Sequence, residues 1–441
     1  MTAARDPFDR LVALLASTRG VADWKVRQRT DRETQLYLVG QRREALRTVD
    51  GDRYDVTVYV DHDGLRGSSS ATLLPDFPDE WVERIQAAVF RATLQSNPPF
   101  ALPGRSRYRA VSLVDPTIRD HPVDRAAEVA HRLLLLVRRE GGVRLSSAEV
   151  FLAYAKTRFA NSRGAAGAYD ETSVDIEFVV LAGEGVRGAE ALEEYGRRRV
   201  ADLALEESVA SASRFARDAL VARPPRSVRT GPVVFRGEPL RDGTISDFWQ
   251  PFRFHLSAEA AYRKLSRFAP GRSITSGRLA GEPLELAADP TIRFGVASAP
   301  FDRDGVALRR VPLVEGGKLQ RYWATKEYAD YLGVEPTGLL TNISVRPGRT
   351  SERELLSDGP LLEVVSFSWF NPDFVTGDFS CEIRLGYERR GGSVRPVKGG
   401  AVQGNLFAAF ARAQFGREIE WMGTYHGPRA VRFERLTVAG S

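Results

Sequence analysis

At 441 residues the chain is long enough for two or three domains of roughly 150 residues each, and its 43% apolar and 27% charged content excludes the composition of a disordered protein. Lys plus Arg number 63 against 57 for Asp plus Glu, a surplus of +6 spread thinly along the chain; Arg197 to Arg199 and Arg309 to Arg310 read as a solvated helix face and a strand, so no nucleic-acid partner is expected. The single cysteine, Cys381, excludes an intrachain disulfide, no run of 18 apolar residues offers a membrane span, and the short apolar stretch after Asp6 and Asp9 is no signal peptide; the sequence reads as cytoplasmic, without a membrane partner.

Asp6 is placed to cap a first helix over about residues 7–17, because its side-chain oxygen can accept from the free N–H groups of the first turn. Strand-like runs follow at 24–29, 54–60 and 68–74. In 79–95, Trp81, Ile85, Ala88, Val89 and Ala92 fall on one face at helical spacing, an amphipathic helix covering those strands. The run SNPPFALPG then sets a boundary near residue 104. A helix over 123–138 opens the second region, with strands at 143–154 and 174–181. A long helix carrying Leu205, Val209, Ala212, Ala216 and Ala219 closes it, and the proline pair at 224 and 225 sets the next boundary. From Pro232 onward strands and turns prevail. Strands over 306–314 and 319–324 flank Gly316-Gly317, those over 381–387 and 394–397 flank Gly391-Gly392, and each Gly-Gly pair supplies the positive φ of a tight hairpin. Helices are expected after Ser257, over 257–268, and from about 406 to 415. The fold class is therefore α+β: N-terminal α/β regions over residues 1–104 and 105–225, with amphipathic helices covering strands, then a mainly antiparallel β domain over 226–441.

Few local motifs carry chemistry. The hexapeptide Gly183 to Gly188 spells G-x-G-x-x-G between an expected strand and an expected helix, but the next strand comes only after a helix of about 30 residues, so no compact βαβ nucleotide unit forms and no cofactor is expected in this chain. The histidines His62, His121, His131, His255 and His426 show no metal-ligand spacing. His62 sits in a DHDG turn beside Asp61 and Asp63, and His131 reads as a partly buried helix histidine. Cys381 lies in an alternating strand with Ile383 on its own face and Glu382 and Arg384 opposite, the pattern of a small buried hydrophobe rather than a nucleophile. No catalytic residue is assigned.

Several longer runs carry a resemblance. They are VTVYVDHDGLRGSSSATLL with NPPFALP in the first region, and FANSRGAAGAYDETS with ALVARPP in the second. In the third they are SGRLAGE, then DPTIRFGVASAPFDRDGVALRRVPLVEGGKLQRYWATKEYADYLG, then NPDFVTGDFSCEIRLGYERRGGSVRPVKGGAVQGNLF, and last RLTVAGS. In their order and spacing the chain resembles the TldD/PmbA (TldE) family of metallopeptidases and their partner subunits. The resemblance implies that metal-bearing members carry H-E-x-x-x-H on the helix just upstream of the SGRLAGE-like segment, with a C-terminal cysteine as a further zinc ligand. Here that segment is SAEAAYRKLSRF, without histidine. Its Arg263, Lys264 and Arg267 would oppose a divalent cation at about 4 kcal/mol per pair at 4 Å, and Glu259 alone cannot make a zinc site. The C-terminal run EIEWMGTYHGP has no cysteine. His426 is its one weak metal candidate and reads as a solvated loop histidine.

The resemblance thus implies a non-catalytic, TldE-like subunit. Its expected partners are a TldD-like metal-bearing subunit in a heterodimer, with zinc on that subunit, and an unfolded or extended peptide substrate held in a shared cavity. A stand-alone homodimeric peptide-binding relative without protease activity is the alternative, and chemistry around Glu420, Tyr425 and His426 is a third.

Overall fold

The computed structural model describes residues 6–185, 188–226, 229–242 and 247–440. Helix α1 (Pro7–Ser17) starts where Asp6 accepts a hydrogen bond from the Phe8 N–H at 3.0 Å, and it buries Phe8, Leu11 and Leu15. Strands β1 (Asp23–Val39), β2 (Arg42–His62) and β3 (Leu65–Leu73) follow, then α2 (Trp81–Ala92), α3 (Pro116–Asp120) and α4 (Pro122–Arg139). After them come β4 (Val143–Asn161), β5 (Ala166–Ala182), β6 (Ala189–Arg197) and α5 (Leu205–Val221). The six strands form one antiparallel sheet in the order β3-β2-β1-β4-β5-β6. Because β1 pairs with β4 from Lys25 opposite Asn161 to Val39 opposite Ser147, the segments before and after residue 104 share this sheet. The helices cover one face, with Trp81, Ile85 and Ala88 of α2 packed among Trp24, Val26, Tyr54, Val56 and Val58, and α4 and α5 over the β4–β5 half.

Five expectations change here. The strands run far longer than the apolar alternation suggested, since their second face is polar and only the long antiparallel ladder reveals their extent. Gly183 to Gly188 joins two strands rather than a strand and a helix: Ala182 pairs with Ala189 across it, residues 186 and 187 lying outside the described ones. The charge-rich 189–197 expected in a helix is the edge strand β6, because pairing with β5 overrides a helical propensity. Arg198 accordingly lies on no solvated helix face but is buried at 5% exposure. His131 is exposed on α4, since the helix turns Ala130 and Leu133 inward instead.

Past α5 the chain forms β7 (Arg229–Arg236), α6 (Gln250–His255), α7 (Ala258–Tyr262), β8 (Leu286–Ala288), β9 (Val311–Glu315) and β10 (Lys318–Leu319). It continues through α8 (Lys326–Leu332), β11 (Ile343–Val345), α9 (Glu352–Ser357), β12 (Leu361–Phe367), β13 (Asp378–Arg390) and β14 (Ser393–Val397). Last come β15 (Ala401–Asn405), α10 (Leu406–Ala409), β16 (Ala413–Phe415), β17 (Ile419–Met422), β18 (Tyr425–Pro428) and β19 (Ala430–Ala439). Two sheets result, ordered β12-β7-β19-β15-β13-β14 with β16 on β19, and β10-β9-β8-β11-β18-β17. Between them lies an aromatic core in which Phe235, Phe248, Trp249, Phe252, Phe410 and Phe433 are fully buried. Both expected Gly-Gly hairpins form, with φ of 57° and 70° at Gly316 and Gly317 and of 53° and 81° at Gly391 and Gly392. Cys381 is buried in that core, and its strand alternates as expected, Phe379, Cys381 and Ile383 inward and Ser380 and Glu382 outward. The first Gly-Gly hairpin is shorter than expected, since β9 begins only at Val311, just past Arg309 and Arg310.

Candidate functional site

The segment that the resemblance singled out, 257–268, is not one helix. Ser257 caps α7 by accepting from the Ala260 N–H at 3.0 Å, but α7 ends at Tyr262, and Lys264 takes a left-handed φ of 59°, a conformation costly for a side-chain-bearing residue. The turn is held from below: the Ser266 hydroxyl donates to the His255 carbonyl at 2.7 Å, and the Arg267 N–H donates to His255 Nδ1 at 3.2 Å. The three cations therefore do not form the cluster expected of a two-turn helix. Arg263 donates to Glu259 at 2.9 Å, and Arg267 lies over the Phe407 ring at 4.8 Å. Glu259 also accepts from the Tyr328 hydroxyl at 3.0 Å.

These residues do not fit a zinc ion. α7 presents one carboxylate, already held by Arg263 and Tyr328, and no nitrogen or sulfur ligand. His255 beneath it has both ring nitrogens engaged, Nε2 with the Val375 carbonyl at 2.8 Å, and burial lowers its pKa. Among the described residues no group of three or more His, Cys, Asp and Glu is placed to hold a metal. His426 is half-buried on β18, its ring 4.4 Å from that of Trp421, and burial lowers its pKa although Asp289 opposes the shift. It is thus a packed strand histidine, where a solvated loop histidine was expected. Tyr425 is fully buried against Trp249 and donates to the Pro428 carbonyl at 3.0 Å. Cross-strand pairing puts His426 opposite Trp421 and Tyr425 opposite Met422, so Tyr425 and His426 face opposite ways and form no joint acid–base pair. His62 binds the Gln95 carbonyl, and Asp61 is taken by Arg66 at 2.7 Å, so the DHDG turn is a structural turn.

The surface around α7 is concave. Its floor is Trp323, whose indole N–H donates to the Arg253 carbonyl at 2.8 Å and whose backbone bridges Leu256 and Ala258, tying the 323–325 segment beside α7. On one side a cavity of about 450 Å³ opens between the polar face of β1–β3, with Lys25, Arg27, Thr57 and Ser70, and the α7–α8 surface, with Glu259 and Glu327. On the other a cavity of about 500 Å³ is lined by Phe254, Leu339, Leu340 and Phe374. Glu259, Trp323 and Leu339 border both, so the two adjoin along α7 as the two halves of its groove. Burial opposes the charge of Lys25, but Asp304 and Tyr59 hold its pKa above the ordinary value. Burial, with Asp304 beside it, pushes Asp302 up to about 6, and burial also raises Glu327.

No local motif could have disclosed this groove, because its walls come from β1–β3, α6–α7, residues 303–340 and a loop around residue 374. Only the segment 257–268, singled out through the resemblance, pointed there.

Residues 231–440 match the model of the PmbA/TldA metallopeptidase C-terminal domain. The chain is 26% identical over 372 residues to Metalloprotease PmbA of Escherichia coli O157:H7, spanning 80% of this chain and 77% of that protein. It is 27% identical over 176 residues to MJ0231 of Methanocaldococcus jannaschii, a match that covers 36% of this chain and only 42% of that relative. Its fold is that of TldE from Thermococcus kodakarensis, with a TM-score of 0.82 at 17% identity over 99% of this chain and 100% of that one. Residues 231–440 are thus a C-terminal domain of the PmbA/TldA metallopeptidase type, carried on a fold shared from end to end with TldE.

Proposed function

We propose that this chain is a non-catalytic, TldE-like subunit that holds an extended peptide in the α7 groove while a metal-bearing TldD-like partner, carrying zinc, cuts it. The observation that carries this reading is α7 itself: at the place where the family's metal-bearing members are expected to bind zinc, the only carboxylate is tied to an arginine and a tyrosine, and the groove around it stays open. β3, an edge strand of the first sheet, borders the groove through Ser68 and Ser70, and an edge strand can pair with a peptide backbone whatever its side chains.

Co-expression with a chain carrying H-E-x-x-x-H, followed by a cleavage assay on an unfolded fluorogenic peptide, tests the reading. The expected outcome is a stable one-to-one complex that cleaves and is silenced by chelator, with no cleavage by this chain alone. Chelator-resistant cleavage by this chain alone would sink the proposal, and a stable homodimer that binds peptide but ignores the metal-bearing chain would replace it with the stand-alone reading.

A further inference from the structure

We infer that the groove selects extended peptides in which a bulky apolar side chain lies within a few residues of a carboxylate; this rests on the peptide-holding role proposed above and adds its specificity. Two features of the groove carry the inference, one in each half.

The apolar half is built to take a ring or a branched chain. Phe254 and Phe374 meet edge to face at 4.9 Å and 69°, Trp323 closes the floor, and Leu339 and Leu340 form the far wall. Phe374 is 51% exposed, so much of its ring is open to solvent among the described residues. Removing such a surface from water by docking an apolar side chain is favourable in proportion to the area covered.

The polar half has an imbalance of partners rather than of charge. Its carboxylates are all engaged: Asp304 with Lys25, Glu259 with Arg263, Glu327 with the Tyr331 hydroxyl at 3.2 Å, and Asp55 with Arg53 at 3.8 Å and the Thr72 hydroxyl at 3.4 Å. Arg27 and Arg303 line the same cavity, and among the described residues their side chains make no hydrogen bond or ion pair. Arg27 stands directly across from Asp55 in the β1–β2 register, yet that carboxylate is turned to Arg53. The half-buried guanidinium of Arg27 and the exposed one of Arg303, neither holding a carboxylate, are recognition elements for one, since a guanidinium's planar fork of donors matches a carboxylate's two oxygens. The carboxylate could come from an Asp or Glu side chain or from the peptide's C-terminus, and the experiment separates these sources.

The test is fluorescence anisotropy of the full-length chain with dye-labelled eight-residue peptides that hold Phe or Ala at one position and Asp or Asn two residues on, each with a free or an amidated C-terminus. The Phe/Asp peptide is expected to bind about tenfold more tightly than either the Phe/Asn or the Ala/Asp peptide. If amidation costs that tenfold while Asp to Asn costs nothing, the C-terminal carboxylate is the one recognised. Arg303→Gln, at an exposed position, and the double variant with Arg27→Gln should erase the Asp preference and keep the Phe preference, while Phe374→Ala should do the reverse. Raised salt should weaken only the Asp-dependent part. Peptides bound with equal affinity whatever their side chains would overturn this inference and leave the peptide-holding role standing; no binding by any peptide would overturn both.

Discussion

The arginine at the seam between the two halves of the molecule and the arginines of the groove differ in what they meet. Arg198, at the end of β6, is buried and donates to the carbonyls of Gly295 and Val296 at 2.8 and 2.7 Å and to Glu171 at 2.9 Å, joining the first sheet to a loop of the C-terminal half. Arg27 and Arg303 sit less than fully buried beside a cavity and meet no acceptor among the described residues. A buried cation must be satisfied within the fold because its desolvation costs too much otherwise, whereas a cation beside open space can wait for a ligand. The same residue type is therefore a fastener in one region and a receptor in the other.

The sharpest way to break this comparison is substitution. Arg198→Ala removes the seam cation and leaves Glu171 with only Arg29, at 2.7 Å, so it should cost about 3–5 kcal/mol in chemical denaturation. Arg303→Ala should stay within about 0.5 kcal/mol of wild type. Equal costs would remove the distinction.

A smaller effect comes from pH at the seam. Burial, reinforced by Glu238 and Glu420 and opposed by Arg241, raises Glu193 from its ordinary 4.5 to about 7. Since the folded value lies above the unfolded one, the neutral form is favoured on folding. Its contribution is full below about pH 4.5 and is lost as pH rises through 7, on the order of 3 kcal/mol in all. Denaturation midpoints of wild type should fall across that window relative to Glu193→Gln, whose profile should be flatter. Parallel profiles would count against a half-buried, raised carboxyl at the seam.

The smallest effect concerns Cys381. Burial pushes its thiol up to about 11, so at pH 8 a thiol reagent should label native protein only as fast as the protein opens, and labelling should jump on addition of denaturant.

Much of the fold was legible along the chain. The Asp6 cap, the apolar faces of α2 and α5, both Gly-Gly hairpins and the inward Cys381 follow from local rules: a side-chain oxygen near free N–H groups, helical spacing of apolar residues, positive φ, and strand alternation. Edge strand β6 was not legible, because its Glu-rich sequence favours a helix until β5 offers a ladder to join. The length of α7 was equally hidden, since the break at Lys264 is imposed by Ser266 and Arg267 binding His255 rather than by a proline or glycine.

By itself the sequence determined the resemblance to the TldD/PmbA (TldE) family and the lack of a histidine-based metal motif on 257–268, because both are properties of residue identity and order. The tertiary structure alone decided which of its many arginines are satisfied and which face a cavity. Partnering of charges depends on strands and loops hundreds of residues apart meeting in space, and no local pattern encodes that meeting.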